Sequence, residues 1–183
     1  IGSTGKYLVH LGWKRGEPWL QEVRVPANLP WKDADLSVQY PRSKWAAWGV
    51  SQLGGQPLPG DEMPASLILP MGRFGPAFLA YPNFKIFTEW NHSLNYATTA
   101  AYLATRISGA PQMSRGNGVV TPLTFEQMKE LQTLLTRAGY LQGEIDGKLG
   151  YGTRAAARQA QLQLGLPADS YPSIELIDRL RKR

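Results

Sequence analysis

The chain has 183 residues, of which 43% are hydrophobic and 19% charged, so it can form a folded core without disulfides. Its formal net charge of +6 favours an anionic partner, such as nucleic acid, a membrane surface or an acidic polysaccharide. The absence of cysteine excludes disulfides, thiol catalysis and Cys-ligated zinc. No apolar run reaches the roughly 18 residues that a membrane helix needs.

The first part of the chain predicts a mixture of helices and short strands. Residues 1–11 have helical spacing that stops at Gly12. From Ser93 the spacing is helical again, with one apolar stripe made of Tyr96, Ala100, Leu103 and Ile107. Between these helices three short strands are predicted, the last two as a hairpin, at residues 22–25, 66–69 and 77–81.

The composition changes near residue 121, and all six tryptophans lie before that point. Residues 111–122 are polar, glycine-rich and without periodicity, which is typical of a linker between a unit of residues 1–110 and a unit of residues 123–183. The second unit predicts three helices, and no internal repeat is visible in it. Their predicted N-caps are Thr124 (with a capping box), Thr153 and Ser173.

Motifs for cofactors and metals are weak. Residues 150–155 fit G-x-G-x-x-A, but the preceding segment is too polar and glycine-rich to be the strand that a dinucleotide fold needs. A sharp turn into a helix explains these glycines, so we predict no cofactor. His10 and His92 lack metal-ligand spacing, and the carboxylate of Asp146 is typical of a turn, so we predict no metal.

An aromatic and polar group of side chains precedes the helix at Ser93. Trp90, Asn91 and Tyr96 can face one cleft, where rings stack on the C–H faces of sugars and amides bond to their hydroxyl groups. The alternative is that Trp90 and Tyr96 pack in the core while Asn91 or Ser93 caps the helix. The residues alone favour this alternative.

Several long segments resemble B-type lytic murein transglycosylases. The segment at 82–97, PNFKIFTEWNHSLNYA, is similar to a motif of that family, and so are residues 1–19, 64–70 and 75–84. From residue 123 onward the chain resembles the peptidoglycan-binding domain that is often appended to such enzymes. The likeness spans nearly the whole chain.

This resemblance implies an α+β, mainly helical chain. It would comprise the C-terminal portion of a lysozyme-like core with a small β region, followed by a three-helix peptidoglycan-binding domain. The family cleaves the bond between N-acetylmuramic acid (MurNAc) and N-acetylglucosamine (GlcNAc) without water, leaving 1,6-anhydromuramoyl ends. One Glu in a Glu-Ser/Thr-x-x-Gly context acts as acid and then as base, upstream of the segment that matches Ile1. No glutamate here precedes Ser or Thr, so we expect the chain alone to be inactive, with Glu89 a surface carboxylate.

Carried over position by position, the resemblance implies two sets of binding residues. Lys6 replaces the usual Asn, Trp90 a Tyr, Ala160 a Phe and Ser170 a Gly, and the change at Ala160 is expected to thin the core of the second unit. The set expected to line the glycan cleft is Tyr7, Trp90, Asn91, Ser93 and Tyr96. The set expected in the peptidoglycan-binding domain is Asp146, Gly147, Gly150, Thr153 and Arg154.

The resemblance implies a periplasmic protein whose partners are peptidoglycan glycan strands. It leaves open an outer-membrane association through an upstream segment, and an upstream catalytic segment that is a separate chain. A non-catalytic peptidoglycan-binding protein is the alternative. A third class, a nucleic-acid or membrane-surface protein, is suggested by the net charge and the basic tail at 179–183. The charge is dispersed, without a stripe of Lys and Arg interleaved by aromatic residues, so we predict no nucleic-acid partner. We also predict no membrane span in this chain.

Overall fold

A computed structural model of the chain describes residues 2–90 and 93–183, with the backbone alone at residues 2–5 and 90. This part contains helices and strands, which confirms the predicted mixture. The N-terminal unit consists of α1 (Gly2–His10), β1 (Leu20–Arg24), a 3-10 helix (Trp31–Asp33), β2 (Tyr40–Pro41), α2 (Arg42–Ala47), β3 (Ser51–Gln52), β4 (Pro64–Ile68), β5 (Ala77–Ala80), α3 (Phe84–Trp90) and α4 (Leu94–Ile107). The C-terminal unit consists of α5 (Phe125–Arg137), α6 (Tyr151–Gln163) and α7 (Ile174–Arg181).

The strands form one antiparallel sheet in the order β2-β4-β5-β1-β3. The predicted hairpin of β4 and β5 is confirmed, with Leu67 opposite Leu79. The other edge of β5 pairs with β1, where Leu20 lies opposite Ala80. The sheet is therefore the scaffold to which the helices of the N-terminal unit attach.

Both faces of the central strands are buried, which explains why β4 and β5 do not alternate between apolar and polar residues. The buried Ser66 of β4 donates its hydroxyl to the carbonyl oxygen of Leu36. One face packs against α2, where Trp45 is fully buried and donates its Nε1–H to the carbonyl oxygen of Ala65 at 2.9 Å. The opposite face packs against α3 and α4, through Phe78, Phe84 and Ala97.

The helix α4 turns a different side to the sheet from the one that its sequence predicts. Its buried residues are Ala97, Thr98 and Ala101, whose small side chains let the helix approach the sheet closely. Two residues of the predicted apolar stripe, Leu103 and Ile107, are 59% and 80% exposed. Two large apolar side chains in the C-terminal half of α4 therefore lie on an open surface.

The C-terminal unit has its own core between α5, α6 and α7, with Leu131, Leu135 and Leu176 fully buried. The helix α6 contributes Ala156, Ala157 and Ala160, so its backbone can lie close to the other two helices. The capping box at Thr124 and the N-cap at Ser173 are confirmed. Both signals are local, and the structure uses them as the sequence predicts.

The predicted cap at Thr153 is wrong. The N-cap of α6 is Gly150, and Thr153 lies within the first turn of the helix. Its buried hydroxyl accepts a hydrogen bond from Nε2 of Gln132 at 3.2 Å. The glycine-rich segment lets the helix begin earlier, and the hydroxyl serves a contact between helices instead.

The segment at 111–122 contains neither helix nor strand, and it lies against the N-terminal unit. The backbone N–H groups of Asn117 and Gly118 donate to the carbonyl oxygen of Phe74 at 2.8 and 2.9 Å. The Ser114 hydroxyl donates to Oε1 of Glu22 at 2.6 Å. These contacts hold the segment in place between the two units.

Candidate functional site

The start of α4 carries the polar and aromatic residues that the sequence singled out. Ser93 is the N-cap, and its Oγ accepts a hydrogen bond from the backbone N–H of Tyr96 at 3.4 Å. The Tyr96 ring is 58% exposed, so it is not core packing. Trp90 ends α3 with its side chain outside the described part, and Asn91 lies outside the described residues. The alternative interpretation is therefore right that Ser93 can cap the helix and wrong that Tyr96 packs in the core.

Tyr7 lies on α1 and is 49% exposed. The next residue, Leu8, lines a cavity together with Ile107 and Ser108 at the C-terminal end of α4. Tyr96 lies in the first turn of α4. The two tyrosines are thus on different helices, and the ring of each is exposed.

An apolar cavity of about 380 Å³ lies between α1, α3 and α4. The rings of Trp13 and Trp19 in its wall are 5.8 Å apart. The segment that carries them is held by Asn83, whose Oδ1 accepts from the Lys14 N–H at 2.9 Å and whose Nδ2 donates to the Glu17 carbonyl oxygen at 3.0 Å. Sequence reasoning missed this role, because the burial of Asn83 is visible only in the fold.

The loop before α6 is organised by a buried glutamine on α5. Nε2 of Gln132 donates to Oδ1 of Asp146 at 2.9 Å, and its Oε1 accepts from the Gly147 N–H at 2.8 Å. The hydrogen bond from the Gln132 side chain is the largest cause that lowers the pKa of the Asp146 carboxyl below its ordinary value of 3.8, and the hydrogen bond from the Lys148 N–H is the second. Asp146 and Gly150 are exposed, whereas Thr153 is buried beneath them. The loop therefore presents a fixed carboxylate at the surface.

The loop after α6 repeats this arrangement. Nε2 of Gln161 donates to Oδ1 of Asp169 at 3.0 Å, and its Oε1 accepts from the Ser170 N–H at 3.1 Å. Ser170 has a φ of 62°, matching the 71° of Gly147. The chain thus contains an internal repeat of contacts that its sequence did not reveal, since the two loops differ in length and residue type.

Arg154 lies between the two units and is only 5% exposed. Its guanidinium donates to the carbonyl oxygen of Pro70 at 2.5 Å and to Oδ1 of Asn95 at 2.9 Å. A weaker contact reaches the carbonyl oxygen of Leu69 at 3.5 Å. The residue predicted to bind peptidoglycan thus connects the C-terminal unit to the hairpin and to the first turn of α4.

A second set of contacts between the units surrounds Asp169, whose Oδ2 accepts from the Arg73 N–H at 3.0 Å. The Arg73 guanidinium lies 3.5 Å from the same oxygen. At Gly72 a Cβ atom would meet the Cβ of Tyr171 at 2.7 Å, so this close approach requires glycine. No local pattern predicts this contact, because its partners are about a hundred residues apart in the chain.

Other chemistry finds little support in the described part of the chain. Glu89 is exposed, as predicted for a surface carboxylate. Among the described residues no three His, Cys, Asp or Glu side chains are grouped as metal ligands. No helix within residues 2–90 and 93–183 has the length and hydropathy of a membrane span.

Comparison with known solved structures finds a likeness that extends over nearly the whole chain. It is 40% identical to SltB3 from Pseudomonas aeruginosa, determined in complexes with NAG-anhNAM-pentapeptide and with NAG-NAM-pentapeptide, with a TM-score of 0.81. The match covers 98% of this chain and 48–49% of the SltB3 chains. The second unit is therefore included in the likeness.

Comparison of the sequence with known proteins and families agrees with the structural likeness. The chain is 32% identical over 99 residues to Membrane-bound lytic murein transglycosylase B of Escherichia coli (strain K12), a match covering 53% of this chain and 26% of that relative. The chain thus spans half or less of the length of these relatives. A peptidoglycan binding domain model matches residues 124–180. Since the Transglycosylase SLT domain model matches residues 1–105, more than half of the chain, the chain belongs to that family.

Proposed function

We propose that the chain is part of a lytic murein transglycosylase, an enzyme that cleaves the MurNAc–GlcNAc bond of peptidoglycan to leave 1,6-anhydromuramoyl ends. The chain supplies part of the glycan cleft and a module that binds the cell wall. The observation that carries this proposal is the likeness to SltB3, which extends over 98% of the chain and through both units. The two family matches, in the same order, support it.

The glycan-binding set of this proposal is Tyr7, Trp90, Asn91, Ser93 and Tyr96. The exposed rings of Tyr7 and Tyr96 support it, because free aromatic faces can stack on sugar rings. The anionic cell wall also suits the net charge of +6.

The catalytic acid of the proposed enzyme comes from outside these 183 residues. No glutamate in the sequence stands in the Glu-Ser/Thr-x-x-Gly context, and Glu89 is solvated. The exposed apolar side chains of Val9, Leu103 and Ile107 support this view, because a surface of this kind is typical of an interface. We assign residues 1–110 to a lysozyme-like core that this surface completes with an upstream segment, on the same or a separate chain.

The proposed cell-wall module is the three-helix unit at 123–183, joined by the linker at 111–122. Its binding set is Asp146, Gly147, Gly150, Thr153 and Arg154. In this set Asp146 and Gly150 are exposed, and Thr153 holds the loop from below. The enzyme acts outside the cytoplasm, in the periplasm, where peptidoglycan lies.

Digestion of purified sacculi tests this proposal. The chain alone should release no anhydromuropeptides detectable by mass spectrometry. A protein in which the chain follows a segment with the Glu-Ser/Thr-x-x-Gly context should release them, and replacing that Glu by Gln should abolish the release. Anhydro products from the isolated chain would refute the external acid.

The absence of that Glu also favours a second candidate, a non-catalytic peptidoglycan-binding protein. The same digestion separates the two. If the extended protein binds sacculi but releases no anhydro products, the second candidate is correct.

A further inference from the structure

A cavity of about 190 Å³ lies between the two units, at the start of α4. The N-terminal unit contributes apolar side chains to its wall, among them Ile68 and Leu94, and the C-terminal unit contributes Tyr151, Arg154 and Ser170. Ala155 in the same wall is exposed, so the cavity reaches solvent. Its wall is thus apolar on one side and polar on the other.

Unpaired polar atoms are concentrated in this wall. Within the described residues, four buried side-chain polar atoms lack a hydrogen-bond partner, and three of them belong to residues of the cavity: Tyr151 Oη, Arg154 Nε and Ser170 Oγ. Native proteins pair nearly all such atoms with protein, water or a ligand, so a cluster of three around one cavity marks a site that a polar group fills. Each of the three can donate a hydrogen bond.

The ligand class follows from Arg154, which has no ion-pair partner among the described residues. The Arg154 guanidinium stays protonated in proteins, yet its hydrogen-bond partners in the described residues are neutral oxygens only. A buried cation is costly unless an anion pairs with it. The carboxylates of Asp35 and Asp169 also line the cavity, but Asp35 accepts from Ser37, and Asp169 accepts from Gln161 and the Arg73 N–H. Neither forms an ion pair with Arg154, although burial lowers the pKa of the Arg154 guanidinium and the negative charge of Asp169 offsets part of this effect.

We infer that this cavity binds a small carboxylate, which accepts hydrogen bonds from Arg154 Nε, Tyr151 Oη and Ser170 Oγ. Because Leu94 lines the cavity and Asn95 holds Arg154, the bound group lies beside the polar residues at the start of α4. A terminal carboxylate of a peptidoglycan stem peptide is one source of this group, and a free small carboxylate is the other. Only the first source rests on the proposed function.

The test uses the 183-residue chain labelled with ¹⁵N. Its arginine Nε–H resonances are followed during titration with acetate, D-alanyl-D-alanine, the C-terminal amide of that dipeptide, and inorganic phosphate. We expect saturable shifts of the Arg154 signal with both carboxylates and none with the amide. Arg158, on the same helix, bonds to the Lys32 carbonyl oxygen and does not line the cavity, so its signal is the internal control.

The comparison of ligands identifies the source. Tighter binding of the dipeptide than of acetate supports the stem peptide, and equal binding supports a free carboxylate. Binding of the amide as well as of the acid, binding of phosphate alone, or no saturable shift at all would overturn the inference. Because no sacculi or enzymatic activity are involved, its failure is distinct from failure of the proposed function.

Two variants test the geometry. Tyr151→Phe removes one donor and should weaken carboxylate binding by about tenfold, the loss expected for one hydrogen bond to a charged group. The matched control is Tyr140→Phe, because the Tyr140 hydroxyl accepts a bond from Arg183 away from the cavity and its loss should leave binding unchanged. Equal binding by the two variants would overturn the assignment, and since both keep the ring, unfolding does not confound the result.

Discussion

The loops on either side of α6 use the same arrangement in two different surroundings. In each, a glutamine on the preceding helix donates to an aspartate and accepts from the N–H of the next residue, which has a positive φ. The first loop faces solvent, where Asp146 is exposed. The second faces the N-terminal unit, where Asp169 is 5% exposed and bound to Arg73. The same pattern of hydrogen bonds thus orders a loop at the surface and a loop that forms the contact between the two units.

The two loops differ in the residue that adopts the left-handed conformation. The first has Gly147, which adopts it without strain, whereas the second has Ser170 with φ 62° and a buried unpaired hydroxyl. The loop that carries the contact between units is therefore the more strained of the two. The strained position is also the one that borders the cavity between the units.

The largest expected effect comes from removing the glutamines. Gln161→Leu should destabilise the chain by about 2–4 kcal/mol, because Asp169 and the Ser170 N–H stay buried without their partner. Gln132→Leu should cost about half as much, since water can reach Asp146. Urea unfolding followed by circular dichroism measures both. Equal losses would show that the surroundings of the two loops do not matter.

A side chain at Gly147 should have the next largest effect. Gly147→Ala adds strain at φ 71° and a Cβ atom 2.4 Å from the Phe125 ring, for a loss of about 2 kcal/mol. Gly139→Ala is the control, because its φ is 78° and no atom lies within 4 Å of the added Cβ, so it should lose about 1 kcal/mol. If thermal unfolding gives the same loss for both, the contact with Phe125 is not tight.

The opposite change in the second loop should stabilise the chain. Ser170→Gly relieves the left-handed strain and removes the unpaired hydroxyl, for a gain of about 1 kcal/mol. Ser170→Ala removes the hydroxyl and keeps the strain, so its gain should be smaller. The midpoints of thermal unfolding of the two variants decide this. A loss of stability in Ser170→Gly would mean that the hydroxyl has a structural partner.

The smallest effect concerns pH. The pKa of Asp146 is lower in the folded chain than its ordinary value of 3.8, chiefly through the Gln132 amide. The stabilisation from this carboxylate is therefore complete above that value and is lost as the pH falls below it. Asp146→Asn should reduce the loss of stability between neutral and acidic pH. An unchanged slope in urea unfolding at several pH values would contradict this.

The sequence predicts best what is decided locally. The caps at Thr124 and Ser173 are correct, and Ser93 is the cap among its two candidates, because each cap depends on a few neighbouring residues. The helices α2 and α3 were missed, since prolines and glycines interrupt their surroundings and their stability comes from packing on the sheet. The cap at Thr153 was wrong because its hydroxyl bonds to another helix.

For the candidate sites too, some properties can be predicted from the sequence and others depend on the fold. The exposure of Tyr7 and Tyr96 agrees with their predicted role in binding, but the sequence alone could not show that both rings lie outside the core. Arg154 was singled out through a family motif, and its burial between the units emerges only from the fold. Contacts between residues far apart in the chain, such as Arg73 with Asp169, have no local signal.

The central claim is that peptidoglycan is the partner of this chain. Co-sedimentation of the chain with purified sacculi, at increasing salt and beside a parallel measurement on duplex DNA, tests it most directly. The account predicts that the chain remains bound to sacculi at a salt concentration that releases it from DNA, since non-specific DNA binding depends steeply on salt. A chain that stays in the supernatant, or that leaves sacculi and DNA at the same salt concentration, would contradict the account.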